Sequence, residues 1–146
     1  MANGTIAFDT LTTSDSANTG TEKSIDTSYL LNGSAKVWAN FDSTAVDGTA
    51  DLTGVRDSFN LTSIVDNGTG DHTLAYTNNM GNANYALTSA TITDLGANRC
   101  CLGLNDTTGS SPLITTSQIR TLIVDLGNNA LRDQEYNFAS IDGDLA

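Results

Sequence analysis

Three kinds of residue in this chain have types and spacing that could support chemistry. They are the single histidine His72, the adjacent cysteines Cys100 and Cys101, and two acidic stretches, DNGTGD at residues 66–71 and DGD at residues 142–144. Histidine can act as a general base, cysteine as a nucleophile or metal ligand, and carboxylates beside glycines as calcium ligands. Each group therefore has a chemical interpretation and a structural one.

His72 follows a turn directly, at the start of an alternating polar and apolar segment. A general base needs an acid that orients it and a nucleophile within reach, and the sequence offers no recognisable frame for either. We therefore predict a half-exposed strand residue with no catalytic role.

Cys100 and Cys101 are neighbours in a predicted strand, so their side chains should point to opposite faces. We predict that one thiol packs in the core and the other faces outward. No further soft ligands lie nearby in the sequence, which argues against a metal site. An intersubunit disulfide is the alternative interpretation.

The acidic stretches lack the twelve-residue spacing and terminal glutamate of an EF-hand calcium loop. Glycine tolerates positive φ, and Asp and Asn side chains bond to nearby backbone, so turn formation explains both stretches. We predict no catalytic, cofactor or metal site. The predicted structural turn consists of Asp66, Asn67, Gly68, Gly70 and Asp71.

Composition favours a folded, strand-rich protein. Only 38% of the residues are hydrophobic and 16% are charged, and much of the remainder is Thr, Ser, Asn and Gly, which are poor helix formers. The net charge of −11 argues against nucleic acid or an anionic membrane surface as a partner. No apolar run reaches membrane-spanning length, and the N-terminus lacks signal-peptide features, so we expect synthesis in a cytoplasm and no membrane insertion.

The hydrophobic pattern predicts an all-β protein, an antiparallel β-sandwich of about seven to eight short strands with an extended N-terminal arm. We assign residues 1–34 to the arm, as a docking segment, and residues 35–146 to the sandwich. The turn at residues 66–71 should join two strands in a hairpin. The predicted sandwich strands are residues 36–41, 58–65, 72–77, 84–93, 97–104, 118–126 and 135–141.

Alternation within these strands predicts which side chains are buried. Val37, Ala39 and Phe41 form one face of the first sandwich strand, and Trp38 lies on the other. Trp38 has two interpretations, an inter-sheet core residue or a subunit contact, and the first is favoured. In the second predicted sandwich strand, residues 58–65, Leu61 and Val65 lie on one face and Ile64 lies on the other. The candidate interface residues are Ile6, Phe8, Leu11, Tyr29, Leu30 and Trp38.

Two segments carry a family resemblance, GSAKVWANF at residues 33–41 and RDSFNLTSIVDNGTGD at residues 56–71. With Met80 and the ANY sequence at residues 83–85, they resemble a small β-rich structural module of tail-fibre-like and other virion proteins of tailed bacteriophages, notably marine and cyanobacterial ones. The resemblance spans roughly residues 33–90. It departs at His72, where an aromatic residue is usual, and in a longer loop before Arg56.

The resemblance implies a trimeric, non-enzymatic virion component. Our leading hypothesis is a homotrimeric tail appendage, anchored by its N-terminal arm and exposed on the particle. The alternative is a capsid cement or decoration protein that stabilises the head shell. The implied partners are further copies of the chain, a tail or major capsid protein, and a host surface glycan. A free carbohydrate-binding module is a third hypothesis, which exposed aromatic residues on one face would favour.

Overall fold

The computed structural model describes residues 10–12, 24–26, 33–92, 100–104 and 114–146. The chain divides into two compact units, Met1–Ser34 and Ala35–Ala146. In the first unit, β1 (Thr10–Thr12) pairs antiparallel with β2 (Ser24–Asp26).

The second unit is an antiparallel β-sandwich, which confirms the predicted fold class. One sheet has the strand order β4 (Val55–Phe59), β3 (Val37–Phe41), β11 (Tyr136–Asp142) and β7 (Ala86–Ile92). The other contains β5 (Leu61–Gly68), β6 (Asp71–Tyr76) and β9 (Gln118–Asp125), with β8 (Cys100–Leu104) and β10 (Ala130–Leu131) paired to β9. Within the ranges that the structure describes there is no helix, and thus none long and apolar enough to cross a membrane.

The strands of both sheets contribute alternate residues to the core, and in β3 the buried face is the predicted one. In β3, Val37, Ala39 and Phe41 are buried. In β9, the same register buries Ile119 and Ile123, and it also buries two polar residues fully, Thr121 and Asp125. Other large side chains that are fully buried are Ile64, Leu74, Met80 and Ile141.

The predicted single strand over residues 58–65 is wrong, because the chain changes sheet at Asn60. β4 ends at Phe59 in the four-stranded sheet, and β5 begins at Leu61 in the other sheet. Asn60 has a φ of 57°, in the left-handed region that Asn tolerates better than most residues. This split, together with the two-residue β10, gives nine sandwich strands rather than seven or eight.

The predicted face assignment in β5 is also wrong. Its register with β6 shifts between Leu61 and Ser63, as at a β-bulge. A bulge adds one residue to one strand and so displaces the alternation of the residues that follow. As a result Ile64 is fully buried in the core, whereas Val65 is only half-buried.

The predicted hairpin over residues 66–71 is confirmed, with β5 and β6 paired antiparallel across it. Gly68 and Gly70 have positive φ values of 141° and 67°. The Asp66 carboxylate accepts a hydrogen bond from the Gly68 amide at 2.6 Å, and the Asn67 side chain donates to Thr73 Oγ1 at 2.9 Å. The two glycine conformations and the side-chain hydrogen bonds of Asp66 and Asn67 therefore determine the shape of the turn.

The Asn60 side chain fastens the corner between the sheets. Its Nδ2 donates to the carbonyl oxygens of Lys36 and Asn78, both at 3.1 Å, and its Oδ1 accepts from the Asn78 amide at 2.7 Å. We expect Asn60→Gly, which preserves the positive φ but removes these bonds, to lower the free energy of unfolding by about 1–2 kcal/mol. Urea denaturation measures the change.

The control is Asn129→Gly, because Asn129 has a similar φ of 55° but is exposed. This variant should unfold within about 0.5 kcal/mol of the parent protein. An equal loss in both variants would show that backbone entropy, and not the corner hydrogen bonds, accounts for the Asn60 result.

Candidate functional site

His72 is completely buried, so the prediction of a half-exposed residue is wrong. It lies in β6 on the face that also carries Leu74 and Tyr76, and its ring centroid is 5.8 Å from that of Phe41. Neither ring nitrogen has a hydrogen-bond partner within the described part of the chain. The histidine is therefore a core residue with two unsatisfied polar atoms.

Acidic groups surround the His72 ring without bonding to it. The shortest separation is 3.9 Å, from His72 Nε2 to Asp133 Oδ1, and the Ser43 backbone is near but outside normal hydrogen-bond geometry. Burial lowers the pKa of His72 below its usual value, and the negative charges of Asp133, Asp66 and Asp71 oppose that shift only in part. The ring is thus held neutral at physiological pH.

Asp71, at the other end of the predicted turn, forms a bidentate ion pair with Arg120. Arg120 Nε and Nη2 lie 2.7 and 2.6 Å from its two carboxylate oxygens. These bonds hold the pKa of Asp71 below its ordinary value. The pair links β6 to β9 and so has a structural role.

The remaining candidate groups do not form a reactive centre. Cys101 is exposed and Cys100 packs against the core, as predicted, and both thiols are free. Burial raises the pKa of Cys100, which makes its thiol less reactive. Among the described residues, no three potential metal ligands lie close enough to hold an ion.

Trp38 lies on the outer face of the four-stranded sheet and is 37% exposed, so its assignment to the core is wrong. Of the other candidate interface residues, Leu11 lies in β1, opposite Ile25. Ile6, Phe8, Tyr29 and Leu30 lie outside the described residues.

Strand pairing arranges the outer face in rows across the sheet, because directly paired residues point to the same side. Two rows of four residues run from β4 to β7, and a third row pairs Tyr136 with Ile92. We call this surface the Trp38 face. Its two longer rows are Phe59–Trp38–Ser140–Thr88 and Asp57–Asn40–Phe138–Ala90.

The Trp38 face carries four of the nine exposed large apolar side chains among the described residues. Phe59, Ile92 and Tyr136 are 53%, 55% and 39% exposed, in addition to Trp38. Single exposed apolar residues are ordinary, but a contiguous patch indicates a contact surface.

A cavity of about 430 Å³ opens at the centre of the Trp38 face. Trp38 and Phe138 are diagonal neighbours across β3 and β11, close enough for aromatic side chains to bound a shared space. Asn40 and Ser140 lie between them, and Thr88, Ala90 and Asp57 complete the rim. The lining therefore combines two aromatic rings with amide, hydroxyl and carboxylate groups.

Arg56 lies over the Tyr136 ring at one end of the Trp38 face. Its guanidinium lies 4.3 Å from the centre of the Tyr136 ring and 3.1 Å from Asp42 Oδ2, and it also bonds to the Glu135 carbonyl oxygen. The position of Arg56 depends on a register shift between β3 and β4, where Phe41 pairs with Val55. Its charge is directed to these partners and not to the cavity.

Sequence reasoning identified Trp38 on the face opposite Phe41 but missed the rest of this surface. Alternation in the predicted strand over residues 58–65 places Phe59 on the same side as Leu61, and nothing in the sequence indicates that Asn60 separates their sheets. Phe138, Tyr136 and Ile92 join the surface only through β11 and β7 pairing. The available signal was the alternation in residues 136–142, which places Tyr136, Phe138 and Ser140 on one side.

Comparison with protein-family models, with curated proteins and with solved structures finds no match to this chain. The functional conclusions below therefore depend on the residues and geometry just described, together with the sequence resemblance.

Proposed function

We propose that the chain is a non-enzymatic structural module of a tailed-bacteriophage virion. In this proposal it is a homotrimeric tail appendage, anchored through residues 1–34 and exposed on the particle. The observation that carries the proposal is the Trp38 face, because several exposed apolar side chains on one sheet face mark a surface that contacts another molecule.

The positions of the motif residues support a structural role. Asn60 fastens the corner between the sheets, Arg56 anchors β4 to the segment before β11, and residues 66–71 form the β5–β6 turn. Each of these residues stabilises the scaffold. Part of the motif therefore specifies the scaffold, and the remainder, which includes Trp38 and Phe59, lies on the Trp38 face.

The outer edge of β5 is covered, which suits a module present in many copies at close range. The Ile64 amide donates to the Asp51 carbonyl oxygen at 2.7 Å, and the Asp66 amide donates to that of Asp47 at 2.8 Å. Exposed strand edges can pair with other chains, and a covered edge cannot. The net charge of −11 further limits unspecific association.

Electron cryo-microscopy of the phage that encodes this chain tests the proposal. We expect three-fold density at the tail that fits the sandwich, and a purified protein that sediments at three times the 15.2 kDa chain mass. Density at lattice positions over the head would instead establish the decoration-protein alternative. Absence of the chain from purified particles would contradict any virion role.

A further inference from the structure

We propose that the cavity at the centre of the Trp38 face binds an arginine side chain of a partner protein, with the guanidinium held between the Trp38 ring and the Asp57 carboxylate. The inference rests on the proposed function, because it names the chemistry of the molecule that this surface contacts. The binding chemistry itself follows from the residues that line the cavity.

The Asp57 carboxylate supplies a negative charge that is accessible from solvent. It is exposed, and it is the only charged side chain among the described residues that line the cavity. Its Oδ1 accepts a hydrogen bond from the Ser58 amide at 2.9 Å, and within the described ranges it forms no ion pair. A cation can therefore bond to this carboxylate without displacing another one.

Two aromatic rings bound the same space. Trp38 is 37% exposed, and Phe138 lies diagonal to it on the adjacent strand β11. The face of an aromatic ring is electronegative and attracts a cation within about 6 Å of its centre, and tryptophan attracts cations most strongly. A cavity with two rings and one carboxylate therefore favours a positively charged ligand.

Strand pairing sets the distance between the Trp38 ring and the Asp57 carboxylate. Asp57 pairs with Asn40, and Trp38 lies two positions before Asn40 in β3. Asp57 and Trp38 are therefore diagonal neighbours on one side of the sheet, about 7–8 Å apart. A planar guanidinium that bonds to the carboxylate at about 2.8 Å then lies within about 6 Å of the ring centre.

The two groups together select arginine over lysine. A guanidinium can stack on an aromatic face and bond to a carboxylate through two N–H groups at once. A lysine ammonium is compact and more strongly hydrated, so it loses more solvation and gains only one of these contacts fully.

The protein already holds one guanidinium in this way, at the end of the same face. Arg56 lies 4.3 Å from the centre of the Tyr136 ring and 3.1 Å from Asp42 Oδ2. The cavity presents the same pair of groups, an aromatic ring and a carboxylate, to a ligand from outside. Its volume of about 430 Å³ leaves room for the methylene groups of an arginine beside Phe138.

A basic segment of a different protein fits this face better than a second copy of the face does. Two copies that met face to face would bring two Asp57 carboxylates together, and like charges repel. Arg56, the one arginine that the described residues place at this face, is already bonded to Asp42 and Glu135. The net charge of −11 also attracts a basic partner over a longer range.

Trp38 is the only tryptophan in the chain, so fluorescence excited at its absorption edge reports on the cavity alone. The experiment titrates the full-length protein with an end-blocked glycine–serine peptide that carries one arginine. Two matched peptides carry lysine or citrulline instead, and citrulline has nearly the shape of arginine without its charge. We expect a saturable change in Trp38 emission with the arginine peptide, at a dissociation constant of about 1 mM, weaker binding of the lysine peptide and no change with citrulline.

Variants place the binding in the cavity. By ligand-observed NMR, Trp38→Ala and Asp57→Asn should each weaken binding of the arginine peptide about tenfold, equivalent to about 1.4 kcal/mol. The aromatic control is Phe59→Ala, which lies on the same face outside the cavity. The charge control is Asp47→Asn, an exposed carboxylate that accepts a bond from the Thr49 amide at 2.7 Å. Both controls should bind within about twofold of the parent, and denaturation midpoints confirm that each variant is folded.

Several results would overturn the inference. The first is no emission change with the arginine peptide up to about 10 mM, beyond which binding is too weak to be specific. The second is equal binding of the citrulline or lysine peptide, and the third is an equal loss in a variant and its control. The fourth is a Trp38 emission change on dilution alone, which indicates that a second copy covers the face. Failure of arginine binding would leave the virion location intact, and absence from the particle would leave arginine binding intact.

Discussion

Replacing Gly70 with alanine is expected to lower the free energy of unfolding by about 3 kcal/mol. Gly70 has a φ of 67°, and a Cβ there would lie 2.7 Å from both the Arg132 nitrogen and the Ile123 oxygen. These atoms belong to the backbone, so no side chain can rotate away. The variant must open the hydrogen bonds from Ile123 N to Gly70 O and from Arg132 N to Ile123 O, in addition to adopting a strained φ.

Gly68→Ala is the matched control, because Gly68 also has a positive φ, of 141°, but a Cβ there would meet nothing within 4 Å. This variant carries backbone strain without the collision, so it should lose about 1–3 kcal/mol, the cost of a non-glycine residue at a positive φ outside the left-handed α region. Urea denaturation of both variants separates the two contributions. Equal losses would show that the close approach of the Ile123 and Arg132 backbone to Gly70 adds nothing to the cost of the substitution.

Stability is expected to fall as the pH decreases below about 6.5, by up to about 1.4 kcal/mol per pH unit. His72 is the only histidine, and burial lowers its pKa in the folded state. The unfolded chain therefore binds a proton at a higher pH than the folded protein does. Above the pKa of His72 in the unfolded chain, the neutral histidine makes its full contribution to stability. That contribution is lost as the pH falls towards the lower pKa of His72 in the folded protein.

His72→Phe should abolish this pH dependence and raise the free energy of unfolding at pH 7.5 by about 1–2 kcal/mol. The change removes two buried nitrogens that lack partners, and it retains an aromatic ring beside Phe41. His72→Leu, with a smaller side chain, controls for overpacking. Urea denaturation at half-unit pH steps measures both effects.

A pH dependence that persists in both His72 variants would mean that a group other than His72 causes it. Arg120 lowers the pKa of Asp71, so protonation of Asp71 destabilises the protein at a more acidic pH than protonation of His72 does. The two groups can therefore be distinguished by the pH at which stability declines.

Local sequence chemistry predicted those parts of the fold that short-range geometry controls. The β3 alternation predicted burial correctly, and the Asp66–Asp71 turn follows from glycine conformations and Asx hydrogen bonds. These features depend on residues within a few positions of each other. One strand pattern or one turn is enough to specify them.

The errors occur where a neighbour distant in sequence decides the outcome. His72 is polar, but its position on the inner face of β6 buries it against Phe41. Asn60 could continue a strand, but bonds to Lys36 and Asn78 hold it in a left-handed corner between sheets. Phe41 is distant from His72 in the sequence, and Lys36 and Asn78 are distant from Asn60.

The sequence by itself determined that this protein is an acidic, strand-rich sandwich with a glycine-shaped hairpin, because composition and alternation act locally. Only the tertiary structure decided which apolar residues remain outside. Trp38, Phe59, Phe138 and Ile92 lie on four different strands, and they form one surface because antiparallel pairing aligns β4, β3, β11 and β7 in register. A surface assembled by pairing between distant strands cannot be recognised in any single segment.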